Sequence, residues 1–166
     1  MNRPILNLDQ LELESPPFPG PERYGAKMAR IAPRLGAKKL GYNLTVIAPG
    51  KAAFPFHNHW VKEELFLVLE GEGEVRIGSE RYPLRQGDVL ACPPGGKETA
   101  HQIVNTSQAE LKIFAVSSEA QAELVEYPDT GKFGFLAQGP AGPDGEPRHL
   151  RFVSREELGL DYWEGE

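Results

Sequence analysis

The 166-residue chain holds a single cysteine, Cys92, so no disulfide can form within it. Its stability must come from a buried core, a metal or a partner subunit. Cys92 is followed by Pro93-Pro94-Gly95-Gly96, with no cationic side chain to stabilise a thiolate, which argues against a catalytic nucleophile. Long apolar runs are also missing. The longest aliphatic or aromatic stretch is Leu65 to Leu69, against the roughly 20 residues that cross a bilayer, so no membrane partner is expected. Asn2, Arg3, Asn7 and Asp9 stand where a secretory signal would have its apolar centre, and a cytoplasmic location is the expectation. Positive charge is in deficit: 18 Lys plus Arg against 24 Asp plus Glu leave a formal charge of -6, which argues against nucleic acid as a partner. With 40% hydrophobic and 25% charged residues, and with 18 Gly and 15 Pro, the chain reads as one turn-rich globular domain rather than a disordered or fibrous one.

Helical periodicity is nearly absent. Short β-branched and aromatic runs alternate with turn residues, the pattern of a sandwich or barrel. Strands are expected at Leu40 to Ala48, Phe54 to His59, Glu64 to Glu70, Glu74 to Ile77, Glu80 to Leu84, Val89 to Cys92, His101 to Asn105 and Leu111 to Ser117. Turn chemistry at Pro49-Gly50, Glu70-Gly71-Glu72-Gly73, Gly78-Ser79, Gln86-Gly87-Asp88 and Asn105-Thr106-Ser107-Gln108 marks the joints. Pro16, Pro17, Pro19 and Pro21 lack ladder donors and read as an arm over the surface, with Ile5 to Leu13 and Ala26 to Ala32 as possible edge strands. Gly139 to Pro147 reads as a tether to a strand-like piece, His149 to Val153, and Ser154-Arg155-Glu156-Glu157 resembles a capping box opening one short helix. This divides the chain into an N-terminal arm (1–39), a barrel core (40–118) and a C-terminal extension packing on it (119–166).

Three of the four histidines carry the chemical signal. On a strand, His57 and His59 leave the same face, and one small ion could accept both. Alone, such a pair is more often two ordinary surface or core histidines than a metal site. Glu63 and Glu64 open the next apolar strand, however, and His101 heads another after the Pro93–Gly96 corner. An unbroken strand from His59 would favour Glu63 by parity.

The stretch from Gly50 to Asn105 resembles the two-motif core of the cupin family. Gly50, His57, His59, Glu64 and Gly71 meet the first motif, with one residue more than usual between Gly50 and His57. Gly87, Pro93, Gly95, His101 and Asn105 meet the second, with Gly96 to Ala100 replacing a two-residue gap. The resemblance implies an all-β double-stranded β-helix, the cupin jelly roll, holding a divalent metal through His57, His59, Glu64 and His101. It places a loop before Glu64 and so selects Glu64 over Glu63. Three imidazoles and one carboxylate suit Fe, Mn, Co, Ni, Cu or Zn better than Mg or Ca. If Glu64 and His101 point inward, parity sends Phe66, Val68 and Ile103 inward as well, giving a largely apolar wall. No Lys/Arg cluster falls on these inward positions, which tilts the expectation from sugar phosphates towards a small oxygenated molecule such as a carboxylate, enol or phenol.

Two functions of different class are consistent with this pattern. One is a metal-dependent enzyme on a small molecule, dioxygenase-like or isomerase/lyase-like; the other is a non-catalytic small-ligand binding or sensing cupin. Catalytic residues are not specified by the sequence, and no organic cofactor is expected. Asn105 is expected to stabilise a turn, Glu98, Gln102 and His149 to be solvated, and Trp60 to line an entrance or pack beneath an arm. The arm and its edge strands favour a homodimer.

Overall fold

The computed structural model describes residues 4–15, 20–143, 145 and 147–165. Pro16, Pro17 and Pro19 of the expected arm lie outside them, as do Asp144 and Glu146 of the expected tether. The strands are β1 (Ala26–Arg30), β2 (Leu40–Ile47), β3 (Asn58–His59), β4 (Glu64–Glu70), β5 (Glu72–Ile77), β6 (Glu80–Arg85), β7 (Val89–Cys92), β8 (His101–Val104), β9 (Leu111–Ser118), β10 (Ala122–Tyr127), β11 (Lys132–Ala141) and β12 (Pro147–Ser154).

These strands form three antiparallel sheets, ordered β1-β2-β9-β4-β7, β12-β11-β10-β3 and β6-β5-β8. The second and third are joined by the backbone pair His57 and His101. Ile47, Val68 and Ile113 of the five-stranded sheet pack with Val75, Leu84 and Ile103 of the three-stranded one in one buried cluster. The result is an all-β jelly roll. In β2 the last four residues are all buried because both faces are covered. Ile47 enters the inner core, while Leu44 and Val46 join Ile31, with Leu8 and Leu11 of the N-terminal segment packed over them. A strand buried on both faces reads as a continuous apolar run.

The motif glycines Gly50, Gly71 and Gly87 all have positive φ. Gly71, at φ +86, also lies against backbone: a Cβ there would overlap Glu110 O and stand 3.1 Å from Leu111 Cα. Gly87, at φ +91, has nothing within 4 Å of such a Cβ. Left-handed backbone costs a side chain about 1–2 kcal/mol, and overpacking adds about 1–3 kcal/mol. Gly71→Ala is therefore expected to destabilise by about 3 kcal/mol and Gly87→Ala by about 1 kcal/mol. Denaturant unfolding midpoints measure both, and equal losses would refute the steric component.

The structure departs from the sequence-based expectation in four places. Phe54 to His59 pairs as a strand only at Asn58–His59. Ile5 to Leu13 forms no strand, although Glu14 bridges Met28 of the edge strand β1. The region 119–141 holds two unforeseen strands, β10 and β11, and β10 pairs with β3 beside the histidines. Among the described residues no C-terminal α-helix forms: Ser154 stays paired with Phe133 as the last residue of β12, and a 3-10 turn, Glu156–Leu158, follows. The residue that precedes the turn is Arg155, which makes no side-chain cap, and the Ser154 hydroxyl donates to Arg155 O at 3.4 Å instead, so the capping box does not act.

Candidate metal centre

The His57–His101 pair sets up the site. His57 N–H donates to His101 O at 3.2 Å, and His101 N–H donates to His57 O at 2.8 Å. Residues directly opposed in an antiparallel ladder share a face, so both rings project into the roll, and His59, two residues on, follows. Glu64 opens β4 in the opposing sheet. One oxygen, Glu64 Oε2, lies 3.1 Å from His101 Nε2, 3.3 Å from His59 Nε2 and 4.0 Å from His57 Nε2. The structure thus brings together all four residues that the sequence singled out. Ligand atoms of His57, His59 and Glu64 all fall within 4.8 Å of one another, a group that could hold a metal ion. Glu63 is exposed; its N–H bonds Ser118 Oγ at 3.0 Å, and its neighbour faces the histidines.

The electrostatics suit cation binding. Burial, reinforced by the neighbouring His101, lowers the His57 pKa to about 4, so its imidazole is neutral at pH 7. His57 Nδ1 donates to Pro55 O at 2.8 Å, which puts the proton on that nitrogen and leaves the Nε2 lone pair facing the cluster. Burial pushes the Glu64 carboxyl up, but hydrogen bonds from His101 and His59 outweigh it and hold the group well below the usual carboxylate range. Cys92 pairs with Glu64 across β4 and β7. Burial, then the Glu64 charge, pushes its thiol up to about 12, which excludes a reactive thiolate at neutral pH.

Beneath the histidines, Phe54, Phe66, Ile103 and Ile113 help line a cavity of about 20 Å³, room for about one water. Phe66 and Ile103 therefore sit on the wall, whereas Val68 lies in the core. A larger groove of about 310 Å³ opens on the other side of His59, along the sheet of β10 to β12, with Lys62, Glu123, Leu136, His149 and Arg151 on its walls. A ligand larger than water fits there and not in the inner cavity. Tyr127 stands nearby, its ring stacked 6.3 Å from that of His57. Burial raises its phenol pKa against the opposing charge of Arg151, so the hydroxyl keeps its proton at neutral pH.

Other sequence-marked residues hold the scaffold. Buried Asn105 donates to Ile47 O and Ala109 O and accepts from Ser107, locking its turn as expected. Gln102 donates to Phe54 O at 2.7 Å and is structural rather than solvated. Glu98 and His149 are exposed, as is Trp60. Glu123 and Asn58 were not singled out by sequence. Glu123 is 3% exposed, beside His59. Asn58 leaves the opposite face from the histidines and donates to Gly95 O and Glu126, pinning the inserted corner to β10. The only sequence signal for Glu123 is its shared parity with Val125, legible only once β10 is recognised.

Residues 43–117 match the family model of the cupin domain, Cupin_2, so the barrel core that carries the four converging side chains is a cupin domain. An uncharacterized protein of Methanocaldococcus jannaschii is 31% identical over 84 residues, which are 48% of this chain and 65% of that protein. A Silicibacter pomeroyi cupin named as a sugar phosphate isomerase superposes with a TM-score of 0.77 over 96% of this chain and 98% of its own, at 24% identity; at that identity the likeness is one of fold. An Acidithiobacillus ferrooxidans protein named provisionally for the same activity superposes with a TM-score of 0.62 at 25% identity, covering 75% of this chain and 76% of its own.

Proposed function

We propose that this cupin holds a divalent transition-metal ion through His57, His59, Glu64 and His101 and uses it to isomerise, or eliminate from, a small oxygenated molecule lying in the groove beside His59. The observation that carries the reading is the convergence of three imidazole Nε2 atoms on Glu64 Oε2, at 3.1, 3.3 and 4.0 Å. Nitrogen-rich donors with one carboxylate favour Fe, Mn, Co, Ni, Cu or Zn, and leave the ion's identity open among them. When bound, such an ion supplies Lewis-acid polarisation of a substrate oxygen.

The chain's own residues would do the rest. Phe66 and Ile103 close the inner side to water. Tyr127, protonated at neutral pH, stacks its ring on that of His57 and holds it in place. Lys62 and Arg151 give the groove cationic groups that the inward barrel positions lack, and Glu119 on the same walls pairs with Lys62 at 3.1 Å. Such a mixed lining suits a polar molecule with an anionic end better than a purely apolar one. The names of the two solved relatives support an isomerase in preference to an oxygenase.

Metal analysis of the purified protein, followed by assays of the ion-loaded protein on phosphorylated and carboxylated sugars, tests the proposal. Interconversion of aldose and ketose forms without oxygen uptake is the expected result. Oxygen consumption would favour the dioxygenase reading, ligand binding without turnover would favour the sensing reading, and failure to retain any divalent transition ion would overturn both catalytic readings.

A further inference from the structure

Glu123 is a buried carboxylate that the proposed chemistry leaves unused. Its side chain is 3% exposed, and a carboxylate buried to that degree needs partners for its oxygens. Three consecutive amides immediately after His59 answer that charge. Trp60 N–H and Val61 N–H donate to Oε1 at 3.1 and 3.2 Å, and Lys62 N–H donates to Oε2 at 2.7 Å. The same Oε2 lies 3.5 Å from His59 Nδ1, a buried nitrogen that has no hydrogen-bond partner. β10 brings the carboxylate there, because His59 pairs with Val125 and Glu123 is two residues along on the same face.

We infer that Glu123 is a positioning residue: when an ion replaces the hydrogen bond that His59 Nε2 makes to Glu64, Glu123 takes the His59 proton on Nδ1 and so aims Nε2 at the ion, while clamping the turn that follows. A shift of about half an ångström would close the 3.5 Å separation to an ordinary hydrogen bond. An imidazole held in this way by a carboxylate is the better metal ligand, and losing such a partner typically costs 10–100-fold in affinity. The inference rests on the proposed metal site.

The geometry also shows why no neutral side chain can substitute. Both Glu123 oxygens face only N–H donors. A glutamine must turn its NH₂ towards either the Trp60 and Val61 amides or Lys62 N–H and His59, so one oxygen position becomes a donor facing donors. Facing His59, that NH₂ favours the tautomer with the proton on Nε2, which cannot bind an ion.

Zn(II) titration of wild type and Glu123→Gln, with ¹⁵N NMR of the Zn(II)-loaded histidines, tests this. The variant is expected to bind Zn(II) 10–100-fold more weakly and to lose the downfield, slowly exchanging His59 Nδ1–H signal. A folded variant with wild-type affinity and an unchanged signal would show that Glu123 only clamps the turn, overturning the inference. If Glu123→Gln does not fold, wild type still decides: a Zn(II)-loaded His59 with no hydrogen-bonded Nδ1–H refutes the role. Wild type that binds no Zn(II) refutes the metal site itself, a distinguishable failure.

Discussion

Replacing Glu64 by alanine is expected to lower divalent-ion affinity more than about a hundredfold, beyond the loss typical of a residue that only supports a ligand. Glu64 is the sole carboxylate among the four converging side chains, so its loss leaves three imidazole nitrogens and no oxygen donor to face the ion. Its low pKa means that the anionic form is present throughout the useful pH range. The effect should also be visible without a substrate. A ligand present at a hundred times its dissociation constant stabilises the folded state by about 2.7 kcal/mol, worth roughly 5–10 °C in midpoint for a chain of this size. Wild type should show that metal-dependent shift in a thermal melt, and Glu64→Ala should not. Glu63→Ala is the control: its side chain is exposed, so the shift should survive. A shift kept in Glu64→Ala, or lost in Glu63→Ala, would refute the assignment of the oxygen donor.

That control bears on how the site could be read at all. Simple alternation from His59 favours Glu63, because it treats His59 to Glu64 as one strand. The chain instead leaves β3 at His59, turns through Trp60 to Lys62 on the Glu123 carboxylate, and enters β4 in the opposing sheet. Parity does not carry across such a turn, and the motif spacing, which already contains it, selected the residue that faces the histidines. Short apolar runs bounded by polar or turn residues, such as Glu64–Glu70 and Val89–Cys92, were legible to the residue. β10 and β11 were not. Ala122–Tyr127 carries two glutamates, and Lys132–Ala141 ends in Gln-Gly-Pro-Ala, compositions that strands ordinarily avoid. What keeps them extended is pairing, β10 between β3 and β11 and β11 between β10 and β12, which is tertiary context invisible in a local window. The groove, Tyr127 and Glu123 all depend on those strands, so the outer side of the site stayed hidden while the inner donors were plain. The same blindness explains the apolar wall expected from Phe66 and Ile103: those residues are where parity puts them, but the space they enclose is too small for a substrate.

Acid is expected to destabilise the metal-free protein well above the range in which ordinary carboxylates titrate. The His57 imidazole takes up its proton near pH 6.5 when unfolded but only near pH 4 when folded, chiefly because it is buried. Between those values the unfolded chain binds more protons, so stability rises with pH across the window. The contribution is complete above about pH 6.5 and is lost progressively as pH falls to about 4. The separation of the two pKa values corresponds to about 3 kcal/mol. Glu64, whose folded pKa is also depressed, acts in the same direction, but only below its unfolded pKa near 4.5. The two effects therefore occupy largely successive windows. Denaturant unfolding of metal-free protein at intervals from pH 7.5 to pH 4 should show the decline, and His57→Gln should flatten the segment above pH 5. Bound metal should delay the loss, because a ligating nitrogen cannot also be protonated, until the ion itself dissociates. Stability that stays level from pH 7 to pH 4.5 in wild type, or falls equally in His57→Gln, would mean that the folded His57 ring takes up its proton as readily as the unfolded one, and that burial does not hold it neutral for an ion.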